Sequence, residues 1–307
     1  MDKKKVIKFV AVTYAIAWTL QIIGSLYAVN NPGFTGTMVF QGALAVCMYA
    51  PMLAAFLVKA DFKGMGWKPK FKGNIGWLFF AAYVALPLTA VGAAIFFLIF
   101  PGFFDTTGSY MIAQYEAAGV DMEEKLQEAG LNMQTLLVLS FIPALYAPFL
   151  NIITAIGEEA GWRGFLYPEL NKSFGRVKTW IIGGAIWGVF HFPAMIFGGY
   201  EYGFDYLGSP WLGLIVFTLC CIVLGTIEEI VYSRTKCIWY AALFHGSFNA
   251  MATFPQLVMN ADNADLSKYI ILGPLPNGII AMIPMVVLAA VMGIAAVRSA
   301  GKKEVSV

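Results

Sequence analysis

The sequence predicts an all-α polytopic membrane bundle of about eight transmembrane helices, and three observations predict it. Of the 307 residues, 59% are hydrophobic and 12% charged, with a mean hydropathy of +0.71. A soluble domain carries about 25% charged residues. The apolar residues fall in runs of about 20, each long enough to cross ~30 Å of hydrocarbon. The basic residues gather in alternate connections between those runs.

Taken in order, the first run, 6–28, follows Lys3-Lys4-Lys5. It reads as a retained span, because ~22 apolar residues exceed a signal-peptide core and Asn30-Asn31-Pro32 gives no small-x-small cleavage site. Runs 37–58 and 75–100 follow, with turn chemistry at Asn31-Pro32-Gly33 and Pro101-Gly102. The only extended non-membrane stretch is Phe103 to Met133. Its middle, Tyr110 to Ala129, has the spacing of an interfacial amphipathic helix. The fourth run, 134–157, ends against charges and is expected to continue as helix towards Pro168. Runs 179–198, 211–231, 237–258 and 277–297 complete the set, the last preceded by Gly273-Pro274-Leu275-Pro276. The chain reads as one membrane domain, 1–307, with a catalytic core at 134–258. Cys47, Cys220, Cys221 and Cys237 lie in apolar runs without a CxxC pair and read as core residues. There is no internal repeat and no nucleotide-binding glycine motif, which argues against an ATP-driven pump. Nothing points to a nucleic-acid partner; the expected partners are the lipid bilayer and a substrate.

With the N-terminus cytoplasmic and sides alternating, all but Lys125 and Lys268 of the 20 basic residues fall on one side. The opposite loops collect acids, among them Asp105, Glu116, Asp121, Glu123, Glu124, Glu128, Glu201 and Asp205. This bias predicts an integral protein, read as residing in a prokaryotic cell membrane, with both termini cytoplasmic.

The charges that break the fourth run are Glu158, Glu159 and Arg163. Ionised groups in a membrane cost about 3 kcal/mol each on insertion scales, which makes them functional candidates. Glu159 and Arg163, four apart, face each other on a helix and read as a supporting ion pair. Glu158 points about 100° away and has no such partner nearby in sequence. The only two histidines, His191 and His245, also sit inside runs. Reckoned at ~1.5 Å per helical residue from the basic loops, Glu158, His191, His245 and Asn249 lie ~14–20 Å deep. One buried layer of these groups suits hydrolysis. Glu158 takes a proton from water with His191 sharing the task, while His245 and Asn249 donate to the oxyanion. Glu228-Glu229 with Arg234 imitates the first motif at a longer spacing, and reads as a structural ion pair or a rim feature.

At these residues the chain resembles the CAAX protease and bacteriocin-processing family, CPBP or Abi. Glu158-Glu159-x-x-x-Arg163, an aromatic-x-x-x-His191 and His245-x-x-x-Asn249 match its three motifs, and Tyr232-x-Arg234-Thr235-x-Cys237-Ile238-Trp239 matches the approach to the last. The resemblance covers Ile156 to Met251. One departure is Trp187, where the family usually has Phe. The resemblance implies an intramembrane endopeptidase of CAAX prenyl endopeptidase type, acting on a peptide or protein that can be lipidated. Members have been classed as glutamate proteases and as metalloproteases. No cofactor is favoured, since there is no HExxH and Asn249 suits a hydrogen-bond donor. Zinc, if bound, would take Glu158, His191 and His245. Two other readings stand beside it: a catalytically idle immunity or scaffold protein, and a secondary transporter using buried Glu and His as a proton relay. The intact motif residues count against the first and the missing inverted repeats against the second. The glycines near the basic side (Gly157, Gly161, Gly164, Gly183, Gly184) suggest a water-filled cone reaching the site from there. The alternative is that they serve close helix packing.

Overall fold

A computed structural model describes residues 1–305, with side chains as far as Ser299 except that of Glu123. Glu123, Lys302 and Lys303, counted above by charge, lie outside those described side chains. Among the described residues there is no strand, only an isolated bridge between Phe104 and Met259. The chain is an all-α bundle. Lys3–Asn30 (α1) leads to Phe34–Cys47 (α2), Ala50–Leu57 (α3), Ile75–Tyr83 (α4) and Ala85–Ile99 (α5). Three short helices, Ser109–Ala117 (α6), Met122–Glu128 (α7) and Met133–Leu139 (α8), precede Pro143–Gly161 (α9). After them come Tyr167–Phe190 (α10), Phe192–Gly198 (α11), Trp211–Thr235 (α12), Ile238–Met251 (α13), Leu266–Tyr269 (α14) and Ile283–Val305 (α15).

Five described stretches are long and apolar enough to cross a membrane: Lys3–Asn30, Phe34–Leu57, Ile75–Ile99, Pro143–Gly198 and Trp211–Thr235. The fourth holds two of the eight expected runs. α9 passes through a π turn at Trp162–Leu166 into α10, so the helix does run on past Glu158 and through Pro168. A kink then breaks it at Gly175, whose φ of 70° favours a residue without a Cβ. α13 has 14 residues, about 21 Å of helix, and is shorter than the ~30 Å of a hydrocarbon core. The last run begins helix only at Ile283, because Pro274 and Pro276 hold the preceding residues in turns.

The amphipathic helix expected over 110–129 is two helices. Gly119 adopts a left-handed φ of 79° that ends α6, and the Asp121 side chain caps α7 by accepting from the Glu124 amide. Numerous large apolar side chains, such as Ile7, Phe56, Leu98 and Val138, are exposed on the outside of the bundle, as a lipid-facing surface requires.

The core that positions the site is a pair of helix pairs. α9 packs along α13, and α10 along α12. Glycines at helical spacing bring these backbones together. A Cβ on Gly184 would come 2.4 Å from Ile222 Cα, and one on Gly188 2.7 Å from Thr218 Cα. On α9, a Cβ on Gly157 would meet the Met48 carbonyl oxygen at 2.7 Å, and one on Gly161 Pro51 Cβ at 2.3 Å. Gly164 and Gly183 lie against Met65 and Tyr167. All five glycines therefore serve close packing, the alternative that the sequence left open.

Candidate active site

The charges of the first motif sit where α9 unwinds into the π turn. Glu158 is 1% exposed; Glu159, Arg163 and Glu228 are fully buried. Arg163 Nη1 donates to Glu159 Oε1 at 2.9 Å, and Nη2 donates to Glu228 Oε2. The guanidinium also lies over the rings of Trp187 (4.6 Å) and Tyr167 (4.9 Å). Glu228 thus corrects the sequence reading: it is neither a rim residue nor a partner of Arg234. Its partner comes from another helix, while Arg234 reaches Ser299. Glu229 takes Arg176 and the Trp180 indole instead. The signal for Glu228 was present in the sequence, because a carboxylate inside an apolar run is costly wherever it falls. Its partner was invisible there, being 65 residues away.

Among the described residues Glu158 has no cationic partner, but it is not free. Trp162 Nε1, one turn along the same helix, donates to its Oε2 at 2.9 Å, and Trp187 Nε1 donates to the same oxygen at 2.5 Å. Among the described residues no donor reaches Oε1. The structure gathers the histidines around the same indole. His191, the C-cap of α10, places Nδ1 3.0 Å from the Trp187 carbonyl oxygen. A carbonyl only accepts, so Nδ1 carries the proton and Nε2 presents a lone pair. His245, on α13, is 5% exposed and places Nδ1 2.9 Å from Glu159 Oε1 and 4.0 Å from Glu228 Oε1. The ring of Trp187 lies 5.2 Å from that of His245 and 6.3 Å from that of His191. Asn249 lies one turn beyond His245 and is exposed, outside the buried layer in which the sequence placed it.

His191 is also stacked on Tyr200 at 6.1 Å. The neighbouring Glu201, read from sequence as a solvent-loop acid, accepts from Asn277 Nδ2. Burial pushes its carboxyl above the usual range, against the hydrogen bonds from Tyr200 and Asn277.

The zinc set named from sequence is not drawn together as a metal would require. Among the described residues, the carboxylate and histidine atoms that come within 4.8 Å of one another are those of Glu159, Glu228 and His245. The Arg163 guanidinium already occupies that group with hydrogen bonds to both carboxylates. The residues as arranged do not fit a three-ligand zinc centre.

Residues 140–251 match the profile of the type II CAAX prenyl endopeptidase Rce1-like family. The chain is also similar to CAAX prenyl protease 2 of Methanococcus maripaludis, at 33% identity over 111 residues, which is 36% of this chain. The match spans 39% of the length of that relative. Both matches support the resemblance to the CAAX protease family, and the Rce1-like segment holds every residue of the cluster, from Glu158 to Asn249.

Proposed function

We propose that this chain is an intramembrane endopeptidase that cleaves a peptide or protein substrate, a prenylated C-terminal one in particular, with water activated by Glu158. The observation that carries the reading is the state of Glu158: a carboxylate buried among aromatic residues, one oxygen held by two indoles and the other without a protein donor. A carboxylate placed there has no ion-pair partner to serve, and general-base work is the role that repays its burial. Oε1 takes a proton from water as the water oxygen bonds to the scissile carbonyl carbon, and His191 Nε2 accepts a hydrogen bond from the same water. Negative charge then develops on the former carbonyl oxygen. His245, oriented through Nδ1 by Glu159, donates to it from Nε2. Asn249 adds an amide N–H from the adjacent turn. The C–N bond breaks as Glu158 returns its proton to the leaving amine. The reading is metal-free, supported by the guanidinium that fills the cluster of ligand-type atoms found among the described residues. The similarity to a type II CAAX prenyl endopeptidase supports the substrate class, and the segregation of basic residues supports cytoplasmic termini.

The test uses purified protein in detergent and a farnesylated peptide ending in Cys-aliphatic-aliphatic-X. Release of the last three residues is followed by mass spectrometry. A catalytic base contributes about 10²–10⁴-fold, so Glu158→Gln should lose at least ~100-fold in kcat while remaining inserted and folded. A loss below about tenfold would assign the base elsewhere.

A further inference from the structure

Trp187 touches four members of the cluster, Glu158, Arg163, His191 and His245. Its indole N–H donates to Glu158 Oε2, its backbone carbonyl meets His191 Nδ1, its ring lies under the Arg163 guanidinium, and its edge faces the His245 ring. It is 3% exposed. We propose that Trp187 is a positioning residue of this site, orienting the Glu158 carboxylate so that Oε1 alone faces the reacting water. The inference rests on the hydrolytic reading for its kinetic consequence but not for its geometry.

The physical argument starts from the carboxylate. The terminal torsion of a glutamate is broad and roughly two-fold, so an unanchored carboxylate swings and exchanges its oxygens. Two donors on one oxygen, arriving from Trp162 on the same helix and Trp187 on a neighbouring one, remove that freedom. The orientation is then fixed before substrate arrives, and no reorganisation is needed during reaction. Phenylalanine at 187 would keep an aromatic face for Arg163 and an edge for His245. It would not keep the N–H. Space-filling alone therefore does not account for the choice of indole, whereas the hydrogen bond does.

Two measurements test this. In the farnesyl-peptide assay, Trp187→Phe should lower kcat about 10- to 100-fold with KM within about twofold, as expected for losing a hydrogen bond to a charged group. Its melting temperature should stay near that of the wild type. Trp162→Phe should behave alike, and the double variant should lose less than the product of the single losses, because both donors serve one oxygen. An unchanged kcat in Trp187→Phe, or a loss explained wholly by lowered melting temperature, would overturn the proposal. The second measurement needs no activity. Among the indole N–H resonances of the eight tryptophans, Glu158→Gln should shift the two that vanish in Trp162→Phe and Trp187→Phe. A Trp187 resonance unmoved by Glu158→Gln would refute the geometry. If the wild type fails to cleave the peptide while these resonances shift, the substrate reading fails and the positioning stands.

Discussion

At the scale of single residues, the site is a problem in balancing charge without water. Arg163 lies between two carboxylates, Glu159 and Glu228, that are fully buried with it, and His245 Nδ1 reaches the same pair. The double pairing changes what removal of one carboxylate does. With Glu159 as its sole partner, Arg163 would be stranded by Glu159→Gln at a cost of about 3–5 kcal/mol. With Glu228 still in place it keeps an ionic partner. Glu159→Gln and Glu228→Gln should therefore each cost little in melting temperature in detergent. The double variant should cost several kcal/mol beyond their sum. Small, additive shifts in all three would show that the guanidinium does not depend on these carboxylates. The sequence made the Glu158, His191 and His245 set legible because charge and imidazole are rare in apolar runs. It hid the supporting residues. Trp187 stood out only as the aromatic four residues before His191, and Trp162 only as the i+4 neighbour of Glu158. Nothing in a sequence separates an indole that packs from one that donates.

At the scale of helices, the site depends on how closely α10 and α12 approach. Glu158 and His245 belong to the α9–α13 pair, whereas Trp187 and Glu228 come from α10 and α12. Sub-ångström placement of the indole and the second carboxylate requires the contact of Gly184 with Ile222 and of Gly188 with Thr218. Gly184→Val should push these helices apart and reduce the yield of monodisperse protein in size-exclusion chromatography. Gly42→Ala, at a helical glycine with nothing within 4 Å, should leave it unchanged or raise it. Equal behaviour of the two variants would deny the α10–α12 contact its role. The positions of the helices were legible because bilayer thickness sets the length of an apolar run. Their interruptions were less so. The kink at Gly175 lies in a polar link that could equally have been extended, and the split at Gly119 to Asp121 interrupts a pattern that looked continuous.

For the whole molecule, the segregation of basic residues implies that the segment 103–133 and the segment 59–72 lie on opposite faces of the membrane. Single cysteines at Tyr115 and at Lys70, in a background lacking the four buried native cysteines, should label with an impermeant thiol reagent from the outside and the inside respectively. The reverse pattern would invert the topology. The pairing of Arg163 with Glu228 has a further consequence, for the order in which the chain is made. Glu159 leaves the ribosome beside Arg163, but Glu228 follows 65 residues later. At ~5–20 residues per second that is a wait of roughly 3–13 s. During that interval the guanidinium has one carboxylate and no roof. A nascent chain halted before α12 should therefore leave Arg163 open to phenylglyoxal, and one halted after α13 should protect it. If protection comes earlier, α12 is not what closes over the arginine. If it comes on schedule, the sixth apolar run acts as a clock, before which the buried charge cannot settle and the half-made protein is exposed to quality control.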